Sequence, residues 1–144
     1  MTAFRTQRPI RFSDCDPSGI AYFPAYVNLL VGVVEDFCAA IGAPWRDLIQ
    51  VRRIGLPTVQ LDVTFSAPGM LGDVLDWDVR VLKIGRSSVT LEHTISRGDT
   101  RLWNATQVLV ATTLDTHKAI ALPDDLRAML ARHLAPAHAQ DPAT

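Results

Sequence analysis

The chain has 144 residues, with 14 Lys+Arg against 15 Asp+Glu, a formal net charge of −1 and 48% hydrophobic residues. That is the size of one domain, able to bury about two-thirds of its surface without disulfides or a structural metal. A balanced charge with no basic run excludes a nucleic-acid platform, two cysteines (Cys15 and Cys38) are too few for a disulfide framework, and the polar N-terminus lacks the apolar region of a secretion signal.

Taken in chain order, Arg5 to Phe12 reads as a first strand and Ser13 to Ala21 as a turn-rich segment. From Phe23 the pattern becomes helical. Pro24 suits the first helical position and Gly42 the position after the last. Val27, Leu30, Val31, Val34, Cys38 and Ile41 form one apolar stripe, and Tyr26, Leu29, Val33, Phe37 and Ala40 cover most of the rest. A helix apolar nearly all round is expected to be enclosed by the remainder of the domain. Pro24, Asn28, Glu35 and Asp36 interrupt the run, which favours a core helix over a membrane span. Glu35 and Asp36 are expected on a solvated helix edge, since buried charge is costly.

Val59, Leu61, Val63 and Phe65 alternate with Gln60, Asp62, Thr64 and Ser66, the signature of a strand with one buried face. Asp73 to Ile84 follows, with Leu75, Trp77, Val79 and Val81 inward. Ser88 to Arg97 places Val89, Leu91, His93 and Ile95 inward, with His93 expected as a hydrogen-bonded core residue. The Arg97-Gly98-Asp99-Thr100 turn leads into a long strand from Leu102 to Leu114. A short helix after Pro123 runs to about Leu134, and residues 135–144 are expected to fray, leaving a domain over 1–134. His117, His133 and His138 read as surface residues. The order specifies an α+β fold in which a curved antiparallel sheet of about five strands wraps one long helix.

Asp14-Cys15-Asp16-Pro17-Ser18-Gly19 feeds directly into the helix N-terminus, where unpaired amides and the positive dipole end attract negative charge. A carbonyl placed there is polarised, and Asp16 can attack it or activate a water while a backbone amide near Phe23 stabilises the oxyanion. The same residues are also ordinary turn formers, so spacing leaves both readings open. Cys15 has no nearby histidine to activate it and reads as a packed residue. Tyr22, Tyr26 and Trp45 either line an acyl pocket or belong to the core. Arg86 and Ser88, at a predicted hairpin, suit phosphate oxygens, as does the overall bias of twelve arginines against two lysines.

The run Arg11 to Ile20 and the following Tyr22-Phe23-Pro24-Ala25-Tyr26 resemble the hot-dog-fold acyl-CoA thioesterases of the 4-hydroxybenzoyl-CoA thioesterase type. Weaker similarity continues in Ala43-Pro44-Trp45-Arg46, Gly55-Leu56-Pro57, Asp73-Val74-Leu75 and Arg86-Ser87-Ser88. The resemblance implies Asp16 as catalytic carboxylate, the Phe23 amide as oxyanion donor, Gly19, Tyr22, Arg86 and Ser88 as substrate-binding residues, and a coenzyme A thioester as substrate. It also implies a homodimer or a homotetramer built as a dimer of dimers, with active sites at subunit interfaces. No metal or redox cofactor is required, coenzyme A being part of substrate and product. A cytoplasmic protein with no nucleic-acid or membrane partner is expected. Hydrolysis of acyl groups on a carrier protein, or acyl-thioester binding without catalysis, are the competing expectations.

Overall fold

A computed structural model describes residues 3–136. The elements are β1 (Phe4–Pro9), α1 (Phe23–Ile41), β2 (Ile54–Gly55), β3 (Thr58–Phe65), β4 (Val74–Ile84), β5 (Ser88–Arg97), β6 (Thr100–Val110), β7 (Thr112–Thr113) and α2 (Asp124–Ala131), with a 3₁₀ turn at Phe12–Asp14 and a π-helical turn at Arg46–Val51. Five strands form one antiparallel sheet in the order β1-β4-β5-β6-β3, and β2 pairs with β7. This is the expected helix-in-sheet architecture.

Period-2 alternation dictates the inner face. Leu75, Trp77, Val79 and Val81 of β4 and Val89, Leu91 and Ile95 of β5 are buried, as are Trp103, Ala105 and Leu109 of β6. Tyr26, Leu30, Val33, Val34, Phe37, Cys38 and Ile41 of α1 close over them. Burying each of Leu30, Val33, Val34, Phe37 and Ile41 contributes roughly 1.5–3 kcal/mol, far more than the roughly 1 kcal/mol that Gly32 costs within the helix. Gly42, at φ 109° in the left-handed region, ends α1, its N–H bonding to Ala39 O. By length and mean hydropathy (1.4) α1 is apolar enough to cross a membrane, but its packing is that of a core helix.

His93 sits in this core as expected. Its Nδ1 accepts from Trp77 Nε1 at 2.9 Å and its Nε2 lies 2.8 Å from Gln107 Oε1, while Gln107 Nε2 donates to Thr58 Oγ1 at 2.9 Å. Because Nδ1 accepts, the neutral ring carries its proton on Nε2 and donates to Gln107. The chain of bonds crosses four strands, from β4 to β3. Burial is the main cause that lowers the His93 pKa, to about 4.

Several expectations give way. The helix is not enclosed all round: Val31 is exposed beside Glu35 and Asp36, because the sheet covers one face only. β3 alternates as read, but it is an edge strand, so Leu61 and Val63 are only half-buried and Val59 and Phe65 stay 60% and 49% exposed. A register shift between Thr58 and Gln60 adds to the exposure of Val59. The long strand from Leu102 breaks at Ala111, whose N–H bonds Ser87 O at 2.7 Å, and the chain leaves the main sheet to pair with β2.

The C-terminal reading also changes. His133 is half-buried, its ring packed edge-on against Phe37 with centroids 5.8 Å apart, and burial lowers its pKa. Ala135, placed in the fraying tail by sequence, is buried and donates its N–H to Val81 O at 2.7 Å. His138 and the rest of the expected tail from residue 137 lie outside the described residues.

Candidate active site

The segment from Asp14 to Tyr22 folds as a tight hairpin. Asp16 N–H bonds Ile20 O, Gly19 N–H bonds Asp16 O, and Tyr22 N–H bonds Asp14 O. Pro17 presets the turn, and Gly19 takes φ 81°, a left-handed conformation that strains any other residue. The Asp14 carboxylate accepts from Arg11 N at 2.9 Å and so caps the 3₁₀ turn. Asp16 faces solvent. Its Oδ1 accepts from Ser18 N at 2.9 Å and from the Ser18 hydroxyl. The Ser18 hydroxyl, followed by the Ser18 and Ile20 backbone, holds the Asp16 carboxyl below the usual carboxylate range, so it is ionised at neutral pH.

Asp16, Gly19, Phe12, Cys15 and Leu71 line a hollow of about 610 Å³. The Cys15 thiol is half-buried and donates to Arg11 O at 3.5 Å. Lost hydration and the flanking Asp14 and Asp16 charges raise its pKa, which keeps it a thiol.

Seven residues after Asp16 the chain enters α1. Helix geometry leaves the first amides without intrahelical acceptors, Tyr22 makes no side-chain cap, and no acid stands in the first turn. The positive end of α1 is therefore uncompensated. Phe23 opens the helix and Pro24 follows it, one position later than expected, so the Phe23 N–H is the first available donor. A second hollow, of about 390 Å³, is lined by Ala21, Phe23, Tyr26 and Phe65 with residues 66–68. Beneath it the Tyr26 and Trp103 rings lie 5.0 Å apart, and Phe65 is 5.8 and 5.9 Å from them. Tyr22, the residue just before α1, is exposed and is not among the residues lining either hollow.

Arg86 and Ser88 lie elsewhere. The hairpin containing Asp16 follows β1, whose Pro9 pairs with Val74 at the start of β4, whereas Arg86 follows Ile84 at its end. Eleven residues of strand span about 33 Å. A single chain thus brings Asp16 and Phe23 to one end of the sheet and Arg86 and Ser88 to the other.

Sequence reading missed Arg127. From α2 its Nη2 donates to Gly85 O at 2.8 Å and Arg86 O at 3.0 Å, setting a second guanidinium at the β4–β5 hairpin. Its separation of 41 residues from Arg86 left no local signal.

Residues 10–130 match the thioesterase-like superfamily. The chain belongs to that superfamily. It is a thioester hydrolase with the hot-dog fold. It is 32% identical over 128 residues to a 4-hydroxybenzoyl-CoA thioesterase from Pseudomonas sp. strain CBS-3, covering 83% of this chain and 91% of that protein. Against the 1,4-dihydroxy-2-naphthoyl-CoA hydrolase of Synechococcus elongatus, identity is 25% over 128 residues, covering 88% and 94%. The solved structure of the Pseudomonas enzyme superposes on this thioesterase with a TM-score of 0.83 at 27% identity, covering 90% and 99%. An aspartate-to-asparagine variant of that enzyme has been solved in complex with 4-hydroxybenzoyl-CoA.

Proposed function

We propose that the protein hydrolyses aroyl-CoA thioesters to the free aromatic acid and coenzyme A. The observation that carries this is the uncapped start of α1 opening onto an aromatic hollow, with an ionised Asp16 on the hairpin that leads into it. The thioester carbonyl lies at the Phe23 amide, which stabilises the oxyanion formed as the nucleophile adds; collapse of that oxyanion breaks the C–S bond and expels the thiolate. Asp16 either attacks the carbonyl carbon, giving a mixed anhydride that water opens, or takes a proton from the attacking water. Either route consumes one water and transfers a proton to the departing thiolate. Gly19 and Tyr22 border the reacting group, and Phe65, Tyr26 and Trp103 favour a flat aromatic acyl group. The 4-hydroxybenzoyl and 1,4-dihydroxy-2-naphthoyl relatives support that class.

Arg86, Ser88 and Arg127 hold the nucleotide phosphates. Because they lie beyond the far end of β4, a strand about 33 Å long whose near end adjoins the hairpin bearing Asp16, a complete site takes its β4–β5 hairpin from another copy, and the working unit is a homo-oligomer. The open β3 edge, with Val59 and Phe65 exposed, suits such assembly.

The deciding experiment measures thiol release by wild type and Asp16→Asn across thioesters from acetyl-CoA to benzoyl- and hydroxybenzoyl-CoA. A preference for aroyl groups and a loss of at least about 100-fold in kcat in the variant are expected. Equal rates in the two proteins would refute the role of Asp16, and faster turnover of carrier-protein thioesters would move the substrate class. Single-turnover hydrolysis in labelled water separates the two routes, since only the anhydride leaves label in Asp16.

A further inference from the structure

Two parts of the proposed site, the hairpin bearing Asp16 and the helix start bearing the Phe23 amide, are held by one residue outside both. The Gly69 carbonyl accepts the N–H of Ala21, on the return arm of the hairpin, at 2.9 Å. The Gly69 N–H donates to the Tyr26 hydroxyl, on the first turn of α1, at 2.9 Å. Neighbouring bonds fix the frame: Leu71 N–H bonds Gly19 O at 3.0 Å, Ile20 bridges Met70, and the Asp73 carboxylate accepts from Met70 N at 2.9 Å and Arg97 Nη1 at 2.6 Å. Only glycine fits at 69. A Cβ there would stand 2.6 Å from Ile10 Cδ1 and inside contact distance of the Tyr26 hydroxyl.

We propose that the Tyr26 hydroxyl is a positioning group that, through Gly69, sets the separation between Asp16 and the Phe23 amide. The inference rests on the thioesterase reading of these two groups. The Tyr26 ring lines the aromatic hollow, whereas its hydroxyl is taken up by Gly69 N–H and acts on the reaction only through the geometry it imposes; Tyr26→Phe removes the hydroxyl and keeps the ring. Misplacement of reacting groups by an ångström costs up to about 100-fold in rate. Loss of this tether therefore lowers kcat, while the nucleotide-binding hairpin at the far end of the sheet is untouched.

The test compares Tyr26→Phe with Val34→Ala, a core substitution on the same helix remote from Gly69, and with Asp16→Asn, using benzoyl-CoA. Tyr26→Phe is expected to lower kcat by about ten-fold or more with KM within about two-fold, and to speed hydrogen exchange at the Gly69 amide. Val34→Ala lowers Tm and keeps kcat. Gly69→Ala reproduces the kcat loss. If Tyr26→Phe keeps its kcat while Asp16→Asn is inactive, positioning by Tyr26 is refuted and the thioesterase reading stands. If Asp16→Asn is fully active, the catalytic reading falls and takes this inference with it.

Discussion

The Arg127 guanidinium reaches from α2 to the backbone carbonyl of Arg86 at 3.0 Å, so the two arginines share one hairpin although 41 residues separate them. Two carbonyls anchor Arg127, and a guanidinium held in this way keeps donor edges for a phosphate. Arg127→Met is expected to raise KM for benzoyl-CoA about ten-fold with little change in kcat, and to cost about 1 kcal/mol of stability. Steady-state kinetics with benzoyl-CoA and with a short thioester lacking the nucleotide check the first point. The KM effect disappears with the short substrate.

With Asp16 as the proposed catalytic carboxylate, the acid limb of the pH–rate profile is expected to follow its ionisation. Its Ser18 hydrogen bonds favour the carboxylate and lower its pKa, so activity persists into acid and falls only as pH drops through that lowered value. Ser18→Ala removes the hydroxyl bond and keeps the amide bond. The limb of kcat/KM is expected to move to higher pH, toward the ordinary carboxylate range, with the plateau rate little changed. A limb that does not move would separate Asp16 from the ionisation that limits activity.

Fold stability follows His93 in a different window. The unfolded imidazole titrates near 6.5, whereas the folded one is held neutral down to about 4. Its pKa is depressed on folding, so the unfolded chain binds more protons between these values. The neutral ring's contribution is fully present above about 6.5 and is lost progressively as pH falls to about 4. The shift corresponds to roughly 3 kcal/mol. Urea unfolding of wild type and His93→Gln at pH 7.5 and 4.5 checks it: the variant is less stable at the higher pH, and its further loss at the lower pH is smaller.

The proposed assembly of each site from opposite ends of two copies predicts complementation. Asp16→Asn homo-oligomers lack the carboxylate, and Arg86→Ala/Arg127→Met homo-oligomers lack the phosphate contacts. Co-expression of the two is expected to restore up to about a quarter of wild-type activity at low benzoyl-CoA, because mixed assemblies contain sites with both halves intact. Activity that never exceeds the sum of the separate variants would show that one chain supplies both halves.

Local pattern carried the backbone of the fold. Leu75, Trp77, Val79 and Val81 alternate because one face of β4 meets α1, and strict alternation needs no knowledge of the partner. The same period in β3 gave no sign that this strand lies at an edge, since sheet order is decided by pairings far apart in sequence. The all-round apolar α1 misled for a related reason: composition does not say whether Val31 is covered by its own sheet or left exposed. The Asp16–Phe23 segment was legible because both groups lie within eight consecutive residues. Arg127 and the Gly69–Tyr26 bond were not, since each joins elements more than 40 residues apart.

The two ends of the described chain meet on one strand. β1 follows β4 as far as Phe4 opposite Val79. Two residues on, Val81 bonds His133 O through its N–H at 3.3 Å and accepts Ala135 N–H at 2.7 Å. Topologically the domain is therefore close to a ring cut beside β4, away from the hairpin that bears Asp16. Joining residues 3 and 136 with a short linker and reopening the chain at the exposed Thr116–His117 turn would give a permuted domain with every strand pairing kept. Such a permutant offers a fusion point at residues 116–117, away from the strand on which Phe4 and Ala135 meet.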